Sequence, residues 1–334
     1  MEALAARPLT VGAVGLGYWG PNLARNLDDL DGAALTWICD RDEGRLERYG
    51  GRFPDARKTT RFEDLLADES LDAVAIATPV VTHFELTREA LLAGKHVFVE
   101  KPLALSSTFG EQLVALAEER GLVLMPGHLL LYHPGVAKLK ELVAGGDLGR
   151  LLYVYGNRQN LGQIRRDENA LWSLGAHDLS VILHLVEEEP IEVWARGESF
   201  LNPGVEDVVF CYLRFPSGVV AHMHLSWLDP HKMRRMTVVC DRKMAVFDDM
   251  EPERKVTVYD KGPEQRADTW GEWQTRSGDI SIPKVANDEP LRLECEHFVA
   301  LLRGEGDRFA AAQEGLAVVR ALEQLQASLE RERV

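Results

Sequence analysis

The segment Gly15-Leu16-Gly17-Tyr18-Trp19-Gly20 constrains this chain more than any other. It follows an apolar run, Leu9–Val14, that reads as a buried strand, and precedes an amphipathic helical pattern over residues 20–29. Each glycine in such a turn has a physical task. Gly15 permits the tight turn, Gly17 lets a pyrophosphate approach the backbone, and Gly20 lets helix and strand pack closely. Pro21 falls at a first-turn position, where its missing N–H costs little, and the helix N-terminus attracts phosphate. A second apolar run, Ala34–Cys39, ends at Asp40, 20 residues beyond Gly20. A carboxylate there can accept hydrogen bonds from adenosine ribose hydroxyls and repels a 2′-phosphate. The pattern implies a dinucleotide site formed by Gly15, Gly17, Tyr18, Trp19, Gly20 and Asp40, with NAD as the cofactor. Arg41, adjacent to Asp40, leaves the choice between NAD and NADP open.

The alternation that begins with this turn continues. Apolar runs Ala73–Ala77, His96–Val99 and Leu122–Met125 are separated by helical patterns near 42–50, 61–67, 82–93 and 106–120. Strand and helix in strict alternation imply parallel βαβ units with right-handed crossovers. Beyond Pro126-Gly127 the pattern changes. Helical periodicity appears at about 133–144 and 170–187, residues 191–260 read as an antiparallel meander with turns such as Pro216-Ser217-Gly218, and helices close the chain near 289–303 and 311–331. The expected fold class is α/β: a Rossmann domain over 1–126, then an α+β domain over 127–334 built on a mainly antiparallel sheet. In the stretch Asp207–Phe215 both strand faces are apolar: Val209, Cys211, Leu213 and Phe215 on one, Val208, Phe210 and Tyr212 on the other. A sheet apolar on both faces needs two covers: one is the domain's own helices, the other a second subunit or an extra layer within the chain, and a homodimer or homotetramer is expected.

Composition narrows the partners. The formal charge of −15 over 334 residues argues against nucleic acid and anionic membrane, which require clustered Lys and Arg. No apolar run approaches the ~18 residues of a membrane span, and Met1–Pro8 lacks the apolar stretch of a signal peptide. The four cysteines, Cys39, Cys211, Cys240 and Cys295, are far apart and show no metal-site spacing. A cytoplasmic protein without a structural metal is expected.

Two further stretches carry chemistry. Glu100-Lys101-Pro102 ends a strand at the sheet edge where open α/β folds bind ligands. Pro102 biases Lys101 toward an extended backbone, and a cationic nicotinamide nearby would draw the lysine pKa down. Later, Leu171, Leu174, Val181, Ile182 and Leu185 form the apolar stripe of a helix, while Ser173, His177, Ser180 and His184 follow on a neighbouring polar face. Asp178 projects into the apolar stripe and needs a buried partner. Arg158, Arg165 and Arg166 cluster just before this helix in an otherwise acidic chain. They fit either a carboxylate or phosphate grip or ion pairs with Asp167 and Glu168.

The glycine turn, Ala77-Thr78-Pro79 followed by His83, and Glu100-Lys101-Pro102, in this order, resemble the Gfo/Idh/MocA oxidoreductases. The resemblance implies an NAD(P)-linked enzyme acting on a sugar or cyclitol hydroxyl, with Thr78, Pro79, His83, Glu100 and Lys101 around the cofactor and Lys101 in the active site. It also implies a helix carrying Asp-x-x-x-His with the histidine as acid/base. His177 matches the histidine, and Ser173 stands at the Asp position. The stretches 127–134, 157–165 and 226–230 look most like the branch of UDP-N-acetylglucosaminuronate 3-dehydrogenases, which also carries Ser there. That resemblance implies a nucleotide-linked sugar substrate, with Lys101, His128, Arg158, Asn160, Arg165, Ser173 and His177 as its contacts and Lys101 and His177 as catalytic groups. A free-sugar or inositol dehydrogenase, and a non-catalytic NAD sensor, are the alternatives.

Overall fold

The computed structural model describes residues 7–166, 168–265 and 272–332. Expectations that rest on residues 1–6 and on Asp167 lie outside the described residues. The chain forms two compact units, Met1–Tyr132 with Asp288–Arg320 and His133–Asn287 with Ala321–Val334.

In the first unit, β1 (Leu9–Val14), α1 (Gly20–Asp28), β2 (Ala33–Cys39), α2 (Glu43–Gly50), β3 (Arg57–Thr59), α3 (Phe62–Ala67), β4 (Ala73–Ile76), α4 (His83–Leu92), β5 (His96–Glu100), α5 (Ser107–Arg120) and β6 (Leu124–Gly127) follow one another. The strands form one parallel sheet in the order β3-β2-β1-β4-β5-β6. This is the doubly wound arrangement in which ligands bind at the carboxyl ends of the strands, where the order reverses beside β1. The central strands are apolar on both faces because helices cover both, so β4 is buried throughout. Local signals place the helix ends. Asp42 caps α2 by accepting from the Gly44 and Arg45 N–H groups, Ser106 caps α5, and Gly121 ends α5 in the left-handed region at φ 63°.

Helix α8 (Pro290–Leu302) and the first half of α9 (Ala310–Glu332) complete this unit's core. On one face of the sheet Val74, Ile76, Val97 and Val99 pack with Leu316 and Val319 of α9. On the other, Leu9, Val11, Ala75 and Phe98 pack with Leu291, Phe298 and Val299 of α8. Phe98 and Phe298 meet edge to face at 5.7 Å, a geometry worth roughly 0.5–1.5 kcal/mol beyond the area it buries.

The second unit holds α6 (Pro134–Ala144), β7 (Leu151–Leu161), a π-helical turn (Leu171–Gly175), α7 (Ala176–Val186) and strands β8 (Glu192–Glu198), β9 (Val208–Arg214), β10 (Val220–Ser226), β11 (Leu228–Cys240), β12 (Met244–Asp248), β13 (Val256–Gln265) and β14 (Trp273–Ser281). The sheet order is β14-β13-β12-β11-β7-β10-β9-β8. It departs from a plain meander because β7 threads between β10 and β11, parallel to the first and antiparallel to the second. The hairpin joining β9 to β10 turns at Pro216-Ser217-Gly218, with Gly218 at φ 84° and its N–H donating to the Phe215 carbonyl. Val209, Cys211, Leu213 and Phe215 are buried on one side, whereas Phe210 on the opposite side is 47% exposed. Among the described residues no helix is long and apolar enough to cross a membrane.

Candidate active site

The glycine turn is built as its residue types require. Gly15 lies at φ 89°, and its N–H donates to the Cys39 carbonyl. A Cβ on Gly20 would sit 1.8 Å from the Gly15 carbonyl oxygen, so no side chain fits there. At Gly17 the nearest atom to such a Cβ is an Arg45 nitrogen 3.8 Å away, which leaves the loop backbone open to a pyrophosphate. The first turn of α1 carries no acidic side chain, so nothing offsets the positive end of the helix. These features fit a dinucleotide cradle. Tyr18 is 95% exposed, whereas the indole of Trp19 donates to Glu100 and so ties the turn to the end of β5.

Asp40 is buried at the end of β2. Its Oδ2 accepts from the Leu16 N–H at 2.6 Å and its Oδ1 from the Asp42 N–H at 2.9 Å. Arg45 approaches Oδ2 at 3.4 Å. A carboxylate has about four lone-pair sites, so acceptor capacity remains for a ribose. Arg41 is exposed. The cation that reaches Asp40 is Arg45, in the first turn of α2. Sequence reasoning missed it because only the turn of the helix brings it back toward the acid it follows by five residues.

Past β4, the Thr78 and Thr82 hydroxyls share a hydrogen bond of 2.7 Å, and Pro79 is exposed. His83 is fully buried, with Nδ1 at 2.9 Å from the Pro102 carbonyl and Nε2 at 2.9 Å from the Thr78 carbonyl. Burial pushes its pKa down, the two carbonyls oppose this, and the Lys101 charge adds to the lowering. His83 therefore staples the loop after β4 to the loop after β5. The Lys101-Pro102 peptide is cis. Lys101 is partly buried.

Glu100 and His128 feel the Lys101 charge, and Glu294 in turn lies close to Glu100. Burial raises the Glu100 carboxyl to about 7, against the opposing pull of the Lys101 charge, the Lys101 N–H and the Trp19 indole. Gly127 gives the Glu100 carboxyl its space, since a Cβ there would lie 3.3 Å from it. His128 is buried with no hydrogen-bond partner for either ring nitrogen, and burial, then the Lys101 charge, push it down to about 4. Glu294 of α8 is 1% exposed and likewise unpartnered, so burial, then Glu100, raise it well above its ordinary range. Glu294 was not legible in the sequence as part of this cluster, because chain order does not say which side of the sheet a late helix covers.

The second unit gathers the other candidates. Arg158 of β7 donates from Nε at 2.8 Å to Oδ1 of Asp178, and its Nη2 makes an ion-pair contact with the same oxygen at 2.7 Å. Both residues are buried. Burial raises the Asp178 carboxyl, while Arg158 and then Arg234 pull it back. The buried partner that Asp178 requires is therefore Arg158, and the guanidinium offered to a substrate carboxylate is already engaged. Arg165 is partly exposed and stands 3.3 Å from Glu168; Arg166 is exposed. Asn160 is partly buried near the end of β7.

Ser173 lies within the π-turn and His177 one residue into α7, both partly buried. The wider turn is the feature that periodicity at 3.6 residues did not reveal; such turns recur at functional sites. Ser180 leaves the expected polar face. It is 3% exposed and donates to the His177 carbonyl at 2.8 Å. Gly15–Gly20, Asp40, Thr78, His83, Glu100, Lys101 and His128 thus belong to the first unit, and Arg158, Asn160, Ser173, His177 and Asp178 to the second.

Comparison with known proteins agrees with this geometry. Residues 9–128 match the model of the oxidoreductase family with an NAD-binding Rossmann fold, and residues 136–246 match the GFO/IDH/MocA C-terminal domain. The 2,7-anhydro-N-acetylneuraminate hydratase of Escherichia coli is 29% identical over 64% of this chain, which spans 60% of that protein's length. The structure of UDP-N-acetylglucosamine 3-dehydrogenase from Acidithiobacillus ferrooxidans superposes with a TM-score of 0.81 at 25% identity, covering 97% of this chain and 98% of that one. A protein of gentamicin A biosynthesis, solved in complex with NAD, gives 0.82 at 26% identity, covering 98% and 96%. With both domain models matched in order and NAD as the cofactor of the first, this chain belongs to the Gfo/Idh/MocA oxidoreductase family.

Proposed function

We propose that this protein is an NAD-dependent dehydrogenase that oxidises a secondary hydroxyl, at C3, of a nucleotide-linked N-acetylated sugar such as UDP-N-acetylglucosaminuronate, in the synthesis of surface-polysaccharide precursors. The observation that carries the dehydrogenase reading is the placement of Lys101. It follows β5 at the carboxyl edge of the sheet, in the half that pairs with the adenosine half marked by Asp40. Likeness to UDP-N-acetylglucosamine 3-dehydrogenase supports the substrate class.

In this reading Gly15, Gly17 and Gly20 receive the pyrophosphate and Asp40 the adenosine ribose, with NAD preferred to NADP. NAD, when bound there, would supply the hydride acceptor. Lys101 donates a hydrogen bond to the substrate hydroxyl oxygen and polarises it. His177 takes the proton as the carbonyl forms, the task suited to an imidazole near neutral pKa. Ser173 and Asn160 supply hydrogen bonds to the sugar. His128, buried and neutral, backs Lys101 without adding charge. Of the arginines, Arg165 is the one left to hold a sugar carboxylate, because Arg158 is engaged with Asp178.

The test supplies UDP-N-acetylglucosaminuronate, UDP-N-acetylglucosamine, glucose and inositol, and follows NADH absorbance. Turnover is expected with the nucleotide sugars, with the uronate favoured and that advantage lost in Arg165→Ala. A site that pairs a charge rejects analogues lacking it. Turnover confined to free sugars or inositol overturns the substrate assignment, and no NADH with any alcohol overturns the dehydrogenase. The proposal includes assembly: a second copy of the chain covers the outer face of the β7–β14 sheet, giving a homodimer or homotetramer.

A further inference from the structure

A buried ion pair is a costly way to fill a core. Desolvation takes back much of what the charges gain, and apolar residues of similar volume often serve stability as well or better. Arg158 of β7 and Asp178 of the helix that bears His177 form such a pair, and its surroundings are shaped for it. Gly156 precedes Arg158 by two residues on the same face of β7, and a Cβ there would come within 2.8 Å of Asp178 Oδ2. The glycine is the seat and the guanidinium is the clasp, with its hydrogen bond and its ion contact both on Oδ1 and none on Oδ2. A second close approach lies just before the histidine. Gly175 ends the π-turn, and a Cβ there would lie 2.9 Å from Leu225 Cδ1 of β10. His177 therefore sits between two fixed points on adjacent strands, one steric at Gly175 and one ionic at Asp178.

We propose that the Arg158–Asp178 pair is a positioning device that fixes the rotation of α7 on β7 and so sets the direction in which His177 presents its imidazole. The inference rests on the reading of His177 as proton acceptor. An apolar contact at residue 178 would hold the helix down but specify its rotation less sharply, because the hydrophobic effect is non-directional. A charge-assisted hydrogen bond from the planar guanidinium, backed by an ion contact to the same oxygen, is directional and holds the carboxylate in place. The charged and titratable groups facing Asp178 are Arg158 on β7, Arg234 on β11 and Cys211 on β9, whose thiol is raised by burial and then by Asp178. Within the pair the Arg158 and Asp178 charges offset each other.

The test compares Arg158→Met, Asp178→Leu, the double variant and Arg158→Lys in the full chain. Each single apolar variant is expected to lose thermal stability, and the double variant to recover it. The positioning role predicts that kcat stays about ten- to a hundredfold down in the double variant, the scale of a small misplacement of a catalytic group, while NAD affinity is unchanged. It predicts in addition that the His177 ring pKa, read by NMR of labelled imidazole, shifts in the double variant and returns toward wild type in Arg158→Lys. Recovery of kcat together with stability, or an unchanged His177 titration, overturns the proposal. A fully active His177→Asn overturns instead the proton-acceptor reading, and the imidazole titration still decides whether the pair orients the ring.

Discussion

Lys101 and His177 differ in what their surroundings demand. Lys101 ends a strand beside Glu100, which burial raises to about 7, and His177 stands on a helix next to the Arg158–Asp178 ion pair. If one polarises the hydroxyl and the other takes its proton, Lys101→Met and His177→Asn each lower kcat roughly 10²–10⁴-fold. Titration of NAD against protein fluorescence should give unchanged affinity for His177→Asn, and retention of near-full turnover by both variants refutes the mechanism. Glu100 yields a separate prediction about stability. The folded carboxyl holds its proton to about pH 7, whereas the ordinary value is 4.5. Between those values the folded state binds more protons than the unfolded state, so this group withdraws stability as pH rises. Glu100→Gln removes the effect, and the melting temperature of the variant relative to wild type should climb from pH 4.5 to 7 and level off above. His96 and His128 act in the opposite sense. Both are pushed by burial to about 4 from 6.5, so both proteins lose stability as pH falls below 6.5. A variant–wild-type difference that does not change with pH removes the case for a raised Glu100.

Elements were legible where one local signal decided them. Strand β1 coincides with the apolar run Leu9–Val14, and α1, α5 and α6 begin within a residue of their expected starts because Pro21, Ser106 and Pro134 announce them. Three features escaped. Strand β3 is a short edge, Arg57–Thr59, with two exposed positions and hence no alternation to see. Strand β7 mixes Tyr, Asn, Arg and Gln because its Arg158 is buried by pairing with Asp178 rather than by being apolar. Hydrophobic periodicity is blind to burial achieved through charge compensation. The π-turn at Leu171–Gly175 widens one turn inside a pattern that still looks helical. The same blindness explains the arginines. Sequence shows a cluster of cations, but only the fold shows that Arg158 already has its carboxylate while Arg165 meets Glu168 through a partly exposed contact.

For the whole molecule, the outer face of the β7–β14 sheet is decisive. Register places Trp194, Tyr212, His222 and Tyr155 in one row across β8, β9, β10 and β7, and Phe210 beside His224 in the next. The rings stack: Tyr155 on His222 at 5.0 Å, Phe210 on His224 at 4.5 Å. Phe210 and Trp194 remain 47% and 41% exposed in a single chain. An aromatic surface of this kind, shared by four adjacent strands, is more than the scattered apolar residues a monomer ordinarily shows. Paired copies can cover it by packing sheet on sheet, which buries the rows on each side at about 10 Å spacing. Phe210→Glu places a charge at the centre of that contact, where desolvation is not repaid by a partner. Sedimentation velocity should therefore show wild type as a dimer or tetramer and Phe210→Glu shifted toward monomer. The variant should keep its fold by circular dichroism, because residue 210 faces away from the buried side formed by Val209, Cys211 and Leu213. A monomeric wild type, or an oligomer indifferent to the substitution, would leave the aromatic rows without this explanation and remove the second subunit from the proposal.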